Sequence, residues 1–315
     1  MTYTEFLLRS LALAALLSAA ASWIVPHVPV GSRRPVGLLL LSLPLFVLAL
    51  VAAHLLPRYW NACATLTGWD PLLSLGLLVA VWGTVPGALI LNLVRLRRAR
   101  RLVLACPPVQ DPDLLGCFAT LSRRLKAPVP ELRVLGLPAP AAFSGWGPRP
   151  VVVISRWFLD RLDRAELLAV LAHELGHLAR RAPQALWLAR VMRDATWYLP
   201  WTRRVLESLE AEEELEADAF AVRLTGQPMA LASALGRLTE HALLAGAPLP
   251  AFGSSPERVL EYRLRCLLEG RARPDRDLGG RLLAGGLAVV AVRAVPSIVA
   301  SSAAALPLYC RIGPL

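Results

Sequence analysis

Two stretches of this chain, Val36 to Leu56 and Leu72 to Val94, contain no Asp, Glu, Lys or Arg and are rich in Leu, Val and Ala. A helix of about 20 apolar residues crosses the ~30 Å hydrocarbon layer of a bilayer. Inside that layer only a helix or a closed barrel satisfies every backbone polar group. Both stretches therefore read as membrane helices. A third apolar run, roughly Ser10 to Val25, precedes them. Its small residues Ala19, Ala20, Ala21 and Ser22 also suit a signal-peptide cleavage site, but Glu5 ahead of it and the two spans behind it favour a retained helix. A fourth run, Leu282 to Cys310, is interrupted by Arg293. An arginine at mid-membrane costs at least ~2.5 kcal/mol, so it should face protein or water; alternatively the span begins at Ala294. Charged residues make up only 18% of the chain, against about 25% in ordinary soluble domains.

The arginines orient these spans. Arg33 and Arg34 lie between the first two, and Arg95, Arg97, Arg98, Arg100 and Arg101 follow the third, whereas the loop around Tyr59 to Trp69 is flanked only by Arg58. Positive loops stay in the cytoplasm. The expectation is a cell-membrane protein with its N- and C-termini outside. Residues 1–97 would hold three membrane helices, at about 10–25, 36–56 and 72–94. Residues 98–280 would form a cytoplasmic domain, and 281–315 a fourth helix with a short outer tail. The formal charge of +11 does not point to nucleic acid, because no basic stripe with interleaved aromatics is present. The basic residues are all arginine except Lys126, and Asn occurs only at 61 and 92; codon bias in a GC-rich genome accounts for this better than heat adaptation, which enriches lysine. Cys63, Cys106, Cys117, Cys266 and Cys310 form no Cys-x-x-Cys pair, so a thiolate metal site is not expected. Cys63 and Cys310 would share the outer side, where a disulfide can form.

The polar middle reads as mixed helix and strand. Leu114 to Leu125 is an amphipathic helix and Arg133 to Leu135 a short strand. Pro138, Pro140, Gly145 and Gly147 mark a turn region, and Val151 to Ile154 is a β-branched strand. That strand can be an edge that pairs with an extended peptide or an internal strand. Asp163 and Glu166 have the spacing of a capping box at the start of a helix. Further helices are expected around 184–196, 202–225, 229–244 and 256–269. Trp187, Trp197 and Trp201 suit either a membrane interface or packing inside the domain.

That capped helix runs into Leu-Ala-His-Glu-Leu-Gly-His, 171–177. Residues four apart share a helix face, so the imidazoles of His173 and His177 can hold one metal ion. Glu174, beside the first, can act as general base on water. Zinc suits such a nitrogen pair and takes three protein ligands in a catalytic site. A solvated polar face would carry such groups too, but Leu167, Leu168, Val170, Leu171, Leu175 and Leu178 give this helix an apolar side for core packing. The third ligand is sought in the acidic run 210–218, Glu-Ala-Glu-Glu-Glu-Leu-Glu-Ala-Asp. Such runs are usually solvated faces, but Ala217, Ala219, Phe220, Ala221 and Val222 carry this one into a packed region. Glu214 and Asp218 share a face. Glu214 is the expected ligand, with Glu210 and Glu213 as substitutes, and Asp218 is placed to hold a ligand imidazole in one tautomer. His27 and His54 fall in or beside the spans, and His241 stands alone on its helix.

Glu-Leu-Glu-Ala-Asp-Ala-Phe-Ala, together with the His-Glu-x-x-His, resembles the gluzincin membrane proteases, and two of their families compete. The stretch from Pro138 through Phe143, Gly145 and Pro150-Val-Val-Val-Ile to Arg181 is similar to both the BlaR/MecR type and the HtpX and CAAX-prenyl-protease type. Trp197-Tyr-Leu-Pro-Trp201, Arg203 and Arg204, and the layout of three spans, a domain and a fourth span look more like the BlaR type. Against it, Ala182 stands where that family often has Asp, and Ala217-Asp218 replaces its Cys-Asp pair, which is nearer the HtpX type. The later His-Pro of the HtpX type has only Ser255-Pro256 as a counterpart. The group that stabilises the oxyanion stays open among Arg223, Arg258, Tyr262 and His241. The resemblance implies an integral membrane α-helical protein with a cytoplasmic helix-rich α+β zincin-like metalloprotease domain. It would use Zn2+ held by His173, His177 and Glu214, with Glu174 catalytic and Asp218 in support. The implied role is regulated proteolysis of a protein or peptide, a repressor or the chain itself, or else membrane-protein quality control. These 315 residues contain no extracellular penicillin-binding domain, so the expected sensor is a separate partner. A non-catalytic scaffold with a vestigial metal site is the competing class, disfavoured by the intact His-Glu-x-x-His. A transporter has only Arg293 in its favour.

Overall fold

The computed structural model describes residues 2–29, 31–61, 69–124, 129–244, 256–270, 286 and 293–304. The chain divides into two compact units: 1–91, 189–206 and 277–315 in the first, 92–188 and 207–276 in the second.

The first unit is a helical bundle. Helices α1 (Tyr3–Ile24), α2 (Arg33–Asn61) and α3 (Trp69–Ala105) are each long and apolar enough to cross a membrane. All three expected spans are therefore present as helices, each extended beyond its uncharged core. Phe6, Leu7, Ala14, Val47, Val51, Leu55 and Leu78 make a buried core. Val295, Val299 and Ala303 join it from the helical residues 293–304. The rest of the expected fourth span, and both Cys63 and Cys310, lie outside the described residues. Asp70 in the first turn of α3 accepts from the backbone N–H of Tyr3 (2.8 Å) and Thr4 (3.0 Å), satisfying free donors at the start of α1. Outward-facing Leu8, Leu16, Trp23, Leu72, Leu73 and Val79 are exposed. An apolar surface on this scale suits lipid rather than water. Leu199 also packs into this core, while Trp197 is exposed.

The second unit contains α4 (Pro112–Arg123), β1 (Glu131–Leu135), β2 (Ala142–Gly145), β3 (Val151–Ser155), α5 (Arg156–Arg161), α6 (Arg164–Ala179), α9 (Pro228–Leu244) and α10 (Pro256–Leu268). Parts of α7 (Ala182–Ala195) and α8 (Trp201–Thr225) belong to it as well. The sheet order is β1-β3-β2, with β1 parallel and β2 antiparallel to β3. The central strand is thus β3. Val152, Val153 and Ile154 are fully buried, and burial on both faces is why this strand reads as an unbroken apolar run. Of the two expectations for 151–154, the internal strand holds. The edges are β1 and β2, the latter in the segment whose prolines and glycines read as a turn.

The expected capping box is formed: Asp163 accepts from Glu166 N (2.8 Å) and Glu166 accepts from Asp163 N (3.0 Å). Glu166 also accepts from Ser233 Oγ (2.5 Å) and Arg237 Nε (2.9 Å), tying α6 to α9. Leu167, Val170, Leu171 and Leu175 face a core with Phe118, Leu132, Val152, Ile154 and Phe158. Each such side chain contributes roughly 1.5–3 kcal/mol by leaving water. At the end of α3, Arg133 from β1 donates to the carbonyls of Leu104 (3.0 Å) and Cys106 (2.8 Å), where a helix leaves acceptors unsatisfied. Trp187 packs edge-on against Trp146, with ring centroids 6.4 Å apart, so that tryptophan is used inside the domain.

Candidate metal centre

The site is built on α6 and α8, and Gly176 sets how closely they approach. A Cβ added there would lie 3.2 Å from the Ala217 Cα and 3.1 Å from the Phe220 Cδ1. With hydrogen at this position the two backbones come together, and acidic side chains of α8 reach the polar face of α6. Ala217, fully buried, supplies the matching small residue.

At the crossing, His173 Nε2 and His177 Nε2 converge to 3.1 Å. Glu214 places Oε2 3.5 Å from His173 Nε2 and Oε1 3.5 Å from His177 Nε2. The three ligand atoms lie within 4.8 Å of one another. His173 Nδ1 is 2.9 Å from Asp218 Oδ1. A carboxylate accepts, so His173 donates from Nδ1, and Nε2, turned towards His177 and Glu214, is the nitrogen that would serve a metal once its proton is displaced. All five groups expected from the spacing, His173, Glu174, His177, Glu214 and Asp218, therefore meet in one place.

A sixth residue, absent from the sequence reading, completes the cluster. Arg263 of α10, only 7% exposed, donates from Nη1 to Glu214 Oε2 (2.8 Å) and from Nε and Nη2 to Asp218 Oδ2 (2.7 Å) and Oδ1 (2.8 Å). Burial disfavours its charge, but the carboxylates of Asp218 and Glu214 overrule burial and raise its pKa. Burial likewise pushes Glu214 and Asp218 up, yet Arg263 and the imidazoles hold Glu214 well below the usual carboxylate range and Asp218 below its own. Burial opposes a charge on His173, but Asp218 and Glu214 outweigh it and push its pKa up to about 10. Glu174 is also buried. Burial raises its pKa, with His177 and His173 pulling the other way, and the Ser144 hydroxyl donates to its carboxylate. Ser144 lies on β2, so the edge strand and the glutamate touch.

Three of the other candidates, Glu213, Arg223 and His241, are engaged elsewhere. Glu213 pairs with Arg180 (3.5 Å), and neither it nor Glu210 joins the His173, His177, Glu214 group. Arg223 lies over the Phe220 ring, and His241 packs edge-on against Trp157 at 5.3 Å. The Arg258 side chain lies outside the described residues. Two convergent imidazoles and a carboxylate fit a zinc-type ion in donor chemistry and in spacing.

Comparison with known proteins agrees with this geometry. The family model of peptidase family M48 matches residues 109–199, which include His173, Glu174 and His177. The chain is 30% identical over 170 residues to "Protease HtpX homolog" of Acaryochloris marina, covering 43% of this chain and 58% of that protein. It is 29% identical over 193 residues to "Protease HtpX homolog 1" of Streptomyces coelicolor, covering 46% and 64%. It is also 30% identical over 141 residues to "Plastoglobule-localized metallopeptidase 48, chloroplastic" of Arabidopsis thaliana, covering 41% and 40%. The chain spans somewhat more than half the length of the first relatives it matches. No solved structure matches it. These likenesses fall on the HtpX side of the two resemblances drawn from the sequence. Residues 109–199 match the family model of peptidase family M48, and His173 and His177 within that match form, with Glu214 beyond it, a group able to hold a metal ion.

Proposed function

We propose that the chain is an HtpX-like membrane-embedded zinc endopeptidase that cleaves proteins at the membrane, in quality control rather than in repressor signalling. The observation that carries this is the convergence of His173 Nε2, His177 Nε2 and Glu214 beside a buried glutamate. His173, His177 and Glu214 would hold zinc, which in such sites activates water and polarises a carbonyl. Asp218 fixes His173 through Nδ1. Arg263 fixes both carboxylates, leaving Glu214 Oε1 directed at His177. Glu174 takes a proton from water and returns it to the leaving amine. Burial raises its pKa, which suits a base that must also serve as an acid. β2 supplies a strand edge next to α6, where an extended substrate backbone can pair with little demand on its sequence. The site would face the cytoplasm, following the arginines after the third span.

The three spans and the further helix fit a BlaR/MecR-type signalling protease equally well. Ala182, Ala217 and the named relatives put the HtpX-type reading first. The test is cleavage of labelled unfolded casein by detergent-purified protein, beside Glu174→Gln. The variant should lose roughly 10²–10⁴-fold in rate, the usual worth of general acid–base catalysis, while keeping its zinc. Undiminished cleavage by Glu174→Gln contradicts the mechanism.

A further inference from the structure

Helix α3 runs for 37 residues, about 55 Å at 1.5 Å per residue, whereas about 20 residues suffice to cross the hydrocarbon layer. A span that starts near Trp69 reaches the far headgroups a turn or two past Ile90. On the outward side of the helix Ile90 (61% exposed), Leu91 (44%) and Val94 (37%) are apolar. The positions three, four and seven beyond Val94, on the same face, are Arg97, Arg98 and Arg101, all exposed. Val103 points the other way and packs on Val153 of the central strand. The arginine face therefore turns away from the protease-like domain. Among the described residues none of these three guanidiniums pairs with a carboxylate. Arg100, by contrast, lies against Gly147. Beyond the arginines Leu102 and Leu104 are exposed as well.

We propose that Arg97, Arg98 and Arg101 form a docking surface for anionic phospholipid headgroups. The face that carries apolar side chains at the end of the span changes to cations at headgroup depth, without acidic partners of its own. Guanidinium matches phosphate with paired, geometrically fixed donors. The surface thus selects for acidic lipid at the point where α3 enters the sheet-bearing unit. Positive residues beside a span orient it in any case. What the structure adds is that these three share one outward face and, among the described residues, pair with no carboxylate. The inference rests on reading α3 as a membrane span.

The test uses the full chain in nonionic detergent, titrated with phosphatidylglycerol or phosphatidylcholine and followed by native mass spectrometry. Phosphatidylglycerol should bind roughly tenfold more tightly or better, as expected for three basic residues at an anionic surface. Arg97→Gln/Arg98→Gln/Arg101→Gln should lose the preference, and the corresponding lysine variant should keep most of it. A control that removes as many charges elsewhere, Arg123→Gln/Arg156→Gln/Arg265→Gln, should leave it intact. Equal binding of the two lipids, or equal loss in the two glutamine variants, overturns the proposal. A chain that stays soluble without detergent contradicts the span reading itself.

Discussion

Arg263 is the residue on which the site's electrostatics turn. It neutralises one oxygen of Glu214 and both of Asp218 in a buried setting. Removing one partner of a buried ionic cluster typically costs about 3–5 kcal/mol, because the remaining charges are left without compensation. Arg263→Gln should therefore lower the unfolding temperature of the metal-free protein, and added zinc should restore part of the loss. An unchanged unfolding temperature contradicts this role. The raised pKa of His173 predicts how zinc binding responds to pH. A proton stays on this imidazole up to about pH 10, and metal must displace it. Metal-free, that proton stabilises the fold below about pH 6.5 in full, and the contribution is lost as pH rises through about 10. Zinc affinity should thus rise about tenfold per pH unit through the neutral range; a flat profile in a competition assay contradicts it. The helical spacing of the motifs made His173, Glu174, His177, Glu214 and Asp218 legible in the sequence. Arg263 was not, because Glu261-Tyr-Arg-Leu-Arg265 reads as an ordinary amphipathic surface and its partner Asp218 lies on another helix, 45 residues away. Ser144 was hidden for a similar reason: its contact with Glu174 depends on a strand that the sequence did not reveal.

The elements differ in how far local signals decide them. Helix α6 carries its own start in the Asp163 and Glu166 capping box and its own buried face, so its position was legible. β2 is only four residues long and sits among Pro138, Pro140, Gly145 and Gly147, which punctuate like a turn. Its strand state comes from pairing with β3, a non-local contact. Whether β3 was edge or centre could not be read from Val151 to Ile154 either, since a short apolar run fits both. The approach of α6 to α8 is the element-level feature that matters most for chemistry. Gly176→Val puts a branched side chain where even a Cβ would crowd the Ala217 Cα and the Phe220 ring. Overpacking of this kind costs about 1–3 kcal/mol. It should also move Glu214 away from the imidazoles and weaken zinc binding, while distant helices keep their circular-dichroism signal. Wild-type zinc affinity in Gly176→Val contradicts the close-approach account.

At the scale of the whole molecule, two kinds of surface coexist in one chain. The first unit exposes Leu, Val and Trp that suit lipid, and the second encloses a polar centre of carboxylates, imidazoles and one guanidinium. The uncharged runs were legible as long apolar helices, because composition and length set them; residues 189–206, which the sequence reading put in the polar domain, cluster instead with the first unit. The central claim is that α6 and α8 together make a three-ligand metal site. The most direct measurement is zinc per chain in detergent-purified protein, beside Glu214→Ala. The account predicts about one zinc per chain in the wild type and a clear loss in the variant. A wild-type chain that binds no zinc even when zinc is supplied, or a variant that retains it fully, contradicts the account.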